Sequence, residues 1–116
     1  MTAVRSREQR IADTIGRLEN DVDCWVSTAD PESGAPYLIP LSFLWDGETI
    51  VIATPRASVT GRNLERTGSV RLGLGTLRDV VLVEGRAAVT AAAEISPDFG
   101  NRFAAKAGFD PRRSEG

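Results

Sequence analysis

The dipeptide Asp46-Gly47 constrains the fold of this chain more than any other feature. It separates two β-like runs, residues 35–45 and 48–54. Asp-Gly in that setting is a strong two-residue hairpin signal, because glycine supplies the positive φ that a tight turn needs. The two runs are therefore expected as antiparallel neighbours. In the first of them Tyr37, Ile39, Leu41, Phe43 and Trp45 share one face, and Leu38, Pro40, Ser42 and Leu44 share the other. Both faces are largely apolar, so both should be covered. Pro40 cannot donate to a ladder, which makes the strand an edge or bulged at that point.

The remaining elements follow from similar signals. Residues 7–19 read as a helix, with Ile11, Ile15 and Leu18 as its packing stripe. Residues 23–30 read as a first strand, joined to the second by the turn Asp30-Pro31-Glu32-Ser33-Gly34. Residues 69–76 alternate, with Val70, Leu72 and Leu74 inward and Gly73 and Gly75 outward; the glycines leave room for close approach to the sheet. Residues 79–91 form a long β run in which Gly85 suggests a bend or bulge and Glu84 and Arg86 suggest a salt bridge or a rim position. Ser96-Pro97-Asp98 opens a helix packed by Phe99, Phe103 and Ala107, with Gly108 as its stop. Hairpin-linked strands with peripheral helices predict a mainly β, α+β chain, antiparallel and closed as a barrel or partly split.

Composition excludes several functions. At 116 residues the chain makes one domain, 1–116, with a modest core. No apolar run approaches the ~20 residues that span a bilayer, and no signal peptide opens the chain. A net charge of −2 argues against a general nucleic-acid binder. Cys24 is the sole cysteine, so no internal disulfide forms and a cytoplasmic setting is expected. There is no histidine, which removes Ser-His and Cys-His machinery and the commonest metal ligand. An enzyme built from this chain would draw its chemistry from a cofactor.

The stretch where such a cofactor would be held is residues 54–64, Thr-Pro-Arg-Ala-Ser-Val-Thr-Gly-Arg-Asn-Leu. Ser58 suits a helix N-cap. Ser58, Thr60 and Arg62 put two hydroxyls and a guanidinium about a first helical turn, whose amides carry partial positive charge. A phosphate would find amides, hydroxyls and a cation together. The same residues also suit a solvated helix with ordinary capping.

This segment resembles the phosphate-binding turn of the pyridoxamine 5′-phosphate oxidase-like split-barrel superfamily. Thr54, Ser58, Arg62, Asn63 and Leu64 fall in register with the family pattern, and residues 40–47 resemble its second strand and hairpin. The departure is Thr60, which stands where the family usually has lysine. The resemblance covers roughly residues 23–110. It implies an antiparallel FMN-binding split β-barrel, with a homodimer holding its cofactor at the two-fold interface. The cofactor is FMN or, alternatively, the deazaflavin coenzyme F420, acting on a small-molecule substrate. Pro40, Leu41 and Ser42 would lie along the flavin ring. Thr54, Ser58, Thr60 and Arg62 would meet the phosphate, with Asn63 steadying the turn. The family normally adds a strand after the last helix, and this sequence stops before it, so a further segment or a partner is expected over the open edge. Two other readings stand beside an oxidoreductase: a flavin-binding module without turnover, and a structural homodimer without cofactor.

Overall fold

A computed structural model describes residues 6–113. The elements run α1 (Arg7–Asn20), β1 (Asp23–Ala29), β2 (Pro36–Trp45), β3 (Ile50–Ile52), α2 (Val59–Thr67), β4 (Ser69–Thr76), β5 (Asp79–Arg86) and α3 (Pro97–Ala107), with short 3-10 turns at Ala92–Glu94 and Pro111–Arg113. The five strands form one sheet in the order β3-β2-β1-β4-β5, with every pairing antiparallel. The split-barrel expectation holds as a curled antiparallel half-barrel with helices beside it.

One face of the sheet carries the core. Cys24 and Val26 of β1, Phe43 of β2, and Leu72 and Leu74 of β4 are buried together with Leu18 of α1. Each helix presses on this face. Leu18 joins the core from α1, Asn63 of α2 donates to Thr28 of β1, and Lys106 of α3 lies 3.8 Å from the centre of the Phe43 ring. Phe103 is buried and meets Phe109 edge to face at 5.8 Å. The N-caps Ser6, Ser58 and Ser96 each accept an amide of their helix, and Gly68 and Gly108 close α2 and α3 in the left-handed conformation.

Several expectations need correction. The α1 stripe packs only at its C-terminal end, for Leu18 is buried while Ile11 and Ile15 are exposed. The turn after β2 falls one residue later than expected, on Gly47-Glu48. Trp45 pairs with Ile50, and Asp46 N–H donates to the Thr49 carbonyl at 3.2 Å. The Asp46 carboxylate accepts from the amides of Glu48 and Thr49 and closes the turn as an Asx turn. The third strand shrinks to Ile50–Ile52. Pro40 causes no bulge, because the β1–β2 register is unbroken from Asp23↔Ser42 to Ala29↔Pro36. Gly85 causes none either, as β4 and β5 pair without interruption from Ser69↔Arg86 to Thr76↔Asp79. The strand expected to reach residue 91 ends at Arg86. Its partner β4 starts only at Ser69, after the Gly68 cap, and the last rung is Ala87 N–H to the Gly68 carbonyl at 2.8 Å. Glu84 does form an ion pair, but with Arg71 across the strand at 2.5 Å.

Candidate functional site: an anion-binding turn beside an open strand edge

The site begins where β3 ends. Phe43 pairs with Ile52, and had the ladder continued, Thr54 would lie beside Leu41. Instead the chain leaves the sheet at Ile52 and enters α2 through residues 53–58. The first half of β2 is therefore paired on one side only, with β1. Phe43 N–H donates to the Val22 carbonyl. By antiparallel alternation the odd residues of β2 bond toward β1, and Leu38, Pro40 and Ser42 turn their backbone to the open side. Pro40 stands where no ladder donor is required, the edge position its sequence called for. Ser42 donates to the Asp23 carboxylate at 2.8 Å, Leu41 packs against the core, and Pro40 is exposed.

The turn itself is closely built. Ser58 Oγ accepts from Gly61 N–H at 3.0 Å and donates to the Pro55 carbonyl at 2.7 Å. Thr54 Oγ1 lies 3.0 Å from the same oxygen and, since the Ser58 proton is committed, is its donor. Ser58 N–H also bonds to Pro55 at 3.1 Å. The loop thus folds back over the first turn of α2. A Cβ on Gly61 would lie 2.4 Å from the Pro55 carbonyl oxygen and 2.9 Å from that of Arg56, so glycine is required there for close approach. Among the described residues, the amides of Val59 and Thr60 have no protein acceptor. Of the two, Val59 is exposed and offers the orphan donor with which a helix start meets an anion, whereas Thr60 is wholly buried.

The side chains divide into three groups. Arg56 is paired with Glu65 at 2.8 Å, and Arg66 with Glu32 at 2.6 Å, whereas exposed Arg62 has no ion-pair partner among the described residues. Asn63 is buried and donates to Thr28 Oγ1 at 3.1 Å, bolting α2 to β1. Thr60 is placed differently from expectation. It is wholly buried, and its hydroxyl has no hydrogen-bond partner among the described residues. A phosphate at the surface cannot meet a residue so buried. Thr54, Ser58, Arg62 and Asn63 thus share one loop-and-helix unit, with Pro40, Leu41 and Ser42 on the adjoining strand.

Sequence reasoning missed the anchors Thr28 and Asp23, which only the tertiary pairing reveals. It also passed over Gly61, although a glycine inside a helical pattern signals close packing. No metal-binding cluster occurs among the described residues. A depression of about 400 Å³ lies elsewhere, lined by Ala12, Asp13, Gly16, Arg17, Asp21 and Asp79.

The pyridoxamine 5′-phosphate oxidase family model matches residues 17–116. The chain belongs to the pyridoxamine 5′-phosphate oxidase family. The match takes in both the turn and the open-edged strand. No curated protein matches the sequence. One solved chain superposes with a TM-score of 0.74 at 18% identity, over 90% of this chain and 73% of its own. A chain described as an F420 reductase gives 0.65 at 18% identity, over 81% and 75%. General stress protein 26 from Bacillus anthracis gives 0.59 at 19% identity, over 84% and 78%. At these identities the likeness establishes the split-barrel fold and nothing finer. No described helix is long and apolar enough to cross a membrane.

Proposed function

We propose that this chain is the cofactor-binding unit of a flavin- or deazaflavin-dependent oxidoreductase. It would hold a phosphate at the first turn of α2 and the ring along the open edge of β2. The observation that carries this reading is the uncommitted amide of exposed Val59, three residues before exposed Arg62, which has no ion-pair partner among the described residues, on the turn that the family match includes. That donor set fits a phosphate. Bound flavin would supply hydride transfer to a small organic substrate, which agrees with a chain that has no histidine. The chain's own residues would bind and orient. Arg62 would neutralise the phosphate, the Val59 amide would fix it, and the backbone of Leu38 and Ser42 would face ring heteroatoms.

FMN and the deazaflavin share the phosphate chemistry, and titration separates them. A charged hydrogen bond is worth ~1.5–3 kcal/mol, so Arg62→Ala should weaken binding roughly tenfold to a hundredfold. Flavin fluorescence during titration with each cofactor reads this directly. Equal affinity of Arg62→Ala and the unmodified chain would sink the assignment of Arg62.

A second reading, a chain of this family without cofactor, also has an observation in its favour. The Ser58 proton is spent on Pro55, and two loop carbonyls crowd the helix start. Failure of both cofactors to bind would select it.

A further inference from the structure

The hydrogen bond between Ser42 and Asp23 stands on the outer face of the sheet, at the open side of β2. Asp23 pairs with Ser42 across the β1–β2 ladder, and the neighbouring rung, Cys24 with Leu41, faces the core. Asp23 and Ser42 therefore share the outer face. Asp23 is exposed and Ser42 half-buried, and Ser42 Oγ donates to Asp23 Oδ1 at 2.8 Å.

A serine hydroxyl ordinarily turns its one proton to suit whatever it meets. Here the partner fixes it. A carboxylate only accepts, so the proton points along the bond to Asp23 and the oxygen keeps its lone pairs for anything beyond. Ser42 Oγ is thus set as an acceptor. The backbone of the same residue supplies the opposite polarity. Ser42 turns its N–H to the open side, and among the described residues that amide has no acceptor. One residue offers a donor and an acceptor next to each other.

The other outward residues of β2 do not repeat this pair. Pro40 has no N–H and offers only its carbonyl. Leu38 lies roughly 13 Å from Ser42 along the strand and has no polar side chain. Ser42 is also the outward residue next to the last β2–β3 rung, Phe43↔Ile52, after which the chain leaves for the turn at Thr54.

We infer that Asp23 is a positioning residue, and that by holding the Ser42 proton it makes Ser42 the reader of a ring lactam, an N–H beside a carbonyl. The ring carbonyl accepts from Ser42 N–H, and the lactam N–H donates to Ser42 Oγ. A ring alkylated at that nitrogen brings no proton to an oxygen that can only accept, and one hydrogen bond is lost. This rests on the proposed cofactor role, since the flavin and deazaflavin rings both carry such a lactam. It adds the residue that decides which part of the ring β2 recognises.

The test compares FMN with its N3-methyl derivative, which keeps the phosphate and lacks the lactam proton, by fluorescence titration of the full chain. The unmodified chain should bind FMN about tenfold more tightly than the methyl derivative, the size of one neutral hydrogen bond. Asp23→Ala releases the Ser42 proton and Ser42→Ala removes the oxygen, so each should bring the two affinities within about twofold of each other. Ser42→Thr keeps a hydroxyl for Asp23 to hold and should preserve the preference. The ratio of the two affinities is the readout, because loss of the Asp23 charge or of local packing moves both ligands alike. Asp23→Ala changes only an exposed side chain, so the ratio can be read even if Ser42→Ala fails to fold. If neither ligand binds the unmodified chain, the cofactor reading and this inference fall together. If FMN binds and the methyl derivative binds equally well, or the preference survives in Asp23→Ala, the inference is overturned and the cofactor reading stands.

Discussion

Thr60 and Cys24 show how far single residues can be read before their surroundings are known. Thr60 is buried with an unpartnered hydroxyl among the described residues, a situation that costs ~1–3 kcal/mol. Thr60→Val keeps the shape and removes that hydroxyl, so stability should rise by about 1 kcal/mol in a denaturant titration, with FMN affinity unchanged. A loss of stability would show that the hydroxyl finds a partner in solution. Thr60→Lys, which looks from the sequence like a restoration of family charge, should instead destabilise, because the lysine stem starts inside the core. The sequence places Thr60 on the first turn but not which way it faces. That is set by the Asn63–Thr28 bond, which joins residues far apart in the chain. Cys24 was legible as a buried strand residue. Burial first, then the Asp23 charge, push its thiol from 9.0 up to about 11, with Lys106 opposing. The unfolded chain therefore loses this proton first as pH rises. The thiol's contribution to stability is complete below pH 9 and drains away between 9 and about 11. Over that window the unmodified chain should lose at most about 2–3 kcal/mol relative to Cys24→Ala. Burial also lowers the Lys106 pKa, which gives the opposite slope, but Lys106 is present in both proteins and largely cancels. Parallel stability–pH curves would refute the assignment.

Elements were most legible where local chemistry decides them. Ser58 and Ser96 as N-caps, Gly68 and Gly108 as stops, and the alternation of β4 all follow from neighbours within a few residues. What the sequence could not show is where a strand runs out of partner. Residues 87–91 have β composition, yet β5 ends because β4 begins only after the Gly68 cap. Likewise β3 stops at Ile52 because the chain must turn into the loop that covers Gly61. That loop makes a prediction at its own scale. Ser58→Ala removes the cap and should cost about 1 kcal/mol. Gly61→Ala drives a methyl against the Pro55 carbonyl and should cost about 1–3 kcal/mol, seen as a lowered unfolding midpoint. Both changes loosen one structure, so the double variant should lose less than the two single losses together. Strict additivity would mean that the cap and the glycine seat act independently.

For the whole molecule, the strand order β3-β2-β1-β4-β5 makes β1 the spine. Its central residues Trp25, Val26 and Ser27 pair with β2 on one side and β4 on the other. The chain order and antiparallel sense of these strands were readable from turns and alternation. The placement of β1 between β2 and β4 was not, since it depends on a long-range pairing with no local signal. This arrangement sets a gradient of protection. Amides open with free energies that range from near zero at frayed parts to the global value in the core. Hydrogen exchange should therefore be slowest at residues 25–27 and faster toward β5 and the first half of β2. On β5 the amides should split into two classes. Those turned toward β4 are bonded, and among the described residues those turned away have no strand to meet. A long edge left open invites pairing with another chain, and proteins seldom leave one uncovered. If the outward amides of residues 79–86 exchange as freely as solvent, the edge is bare and its exposed Glu84 and Arg86 are its only protection. Slow exchange there, in step with the inward amides, would mean that a further segment or a second chain adds a strand to β5. The expected result is the second one, since an edge eight residues long, with a regular ladder on its other side, is a ready template for a further strand. A repeat of the measurement at rising protein concentration then separates a strand from within the chain, whose protection stays constant, from one lent by a second copy, whose protection rises with concentration.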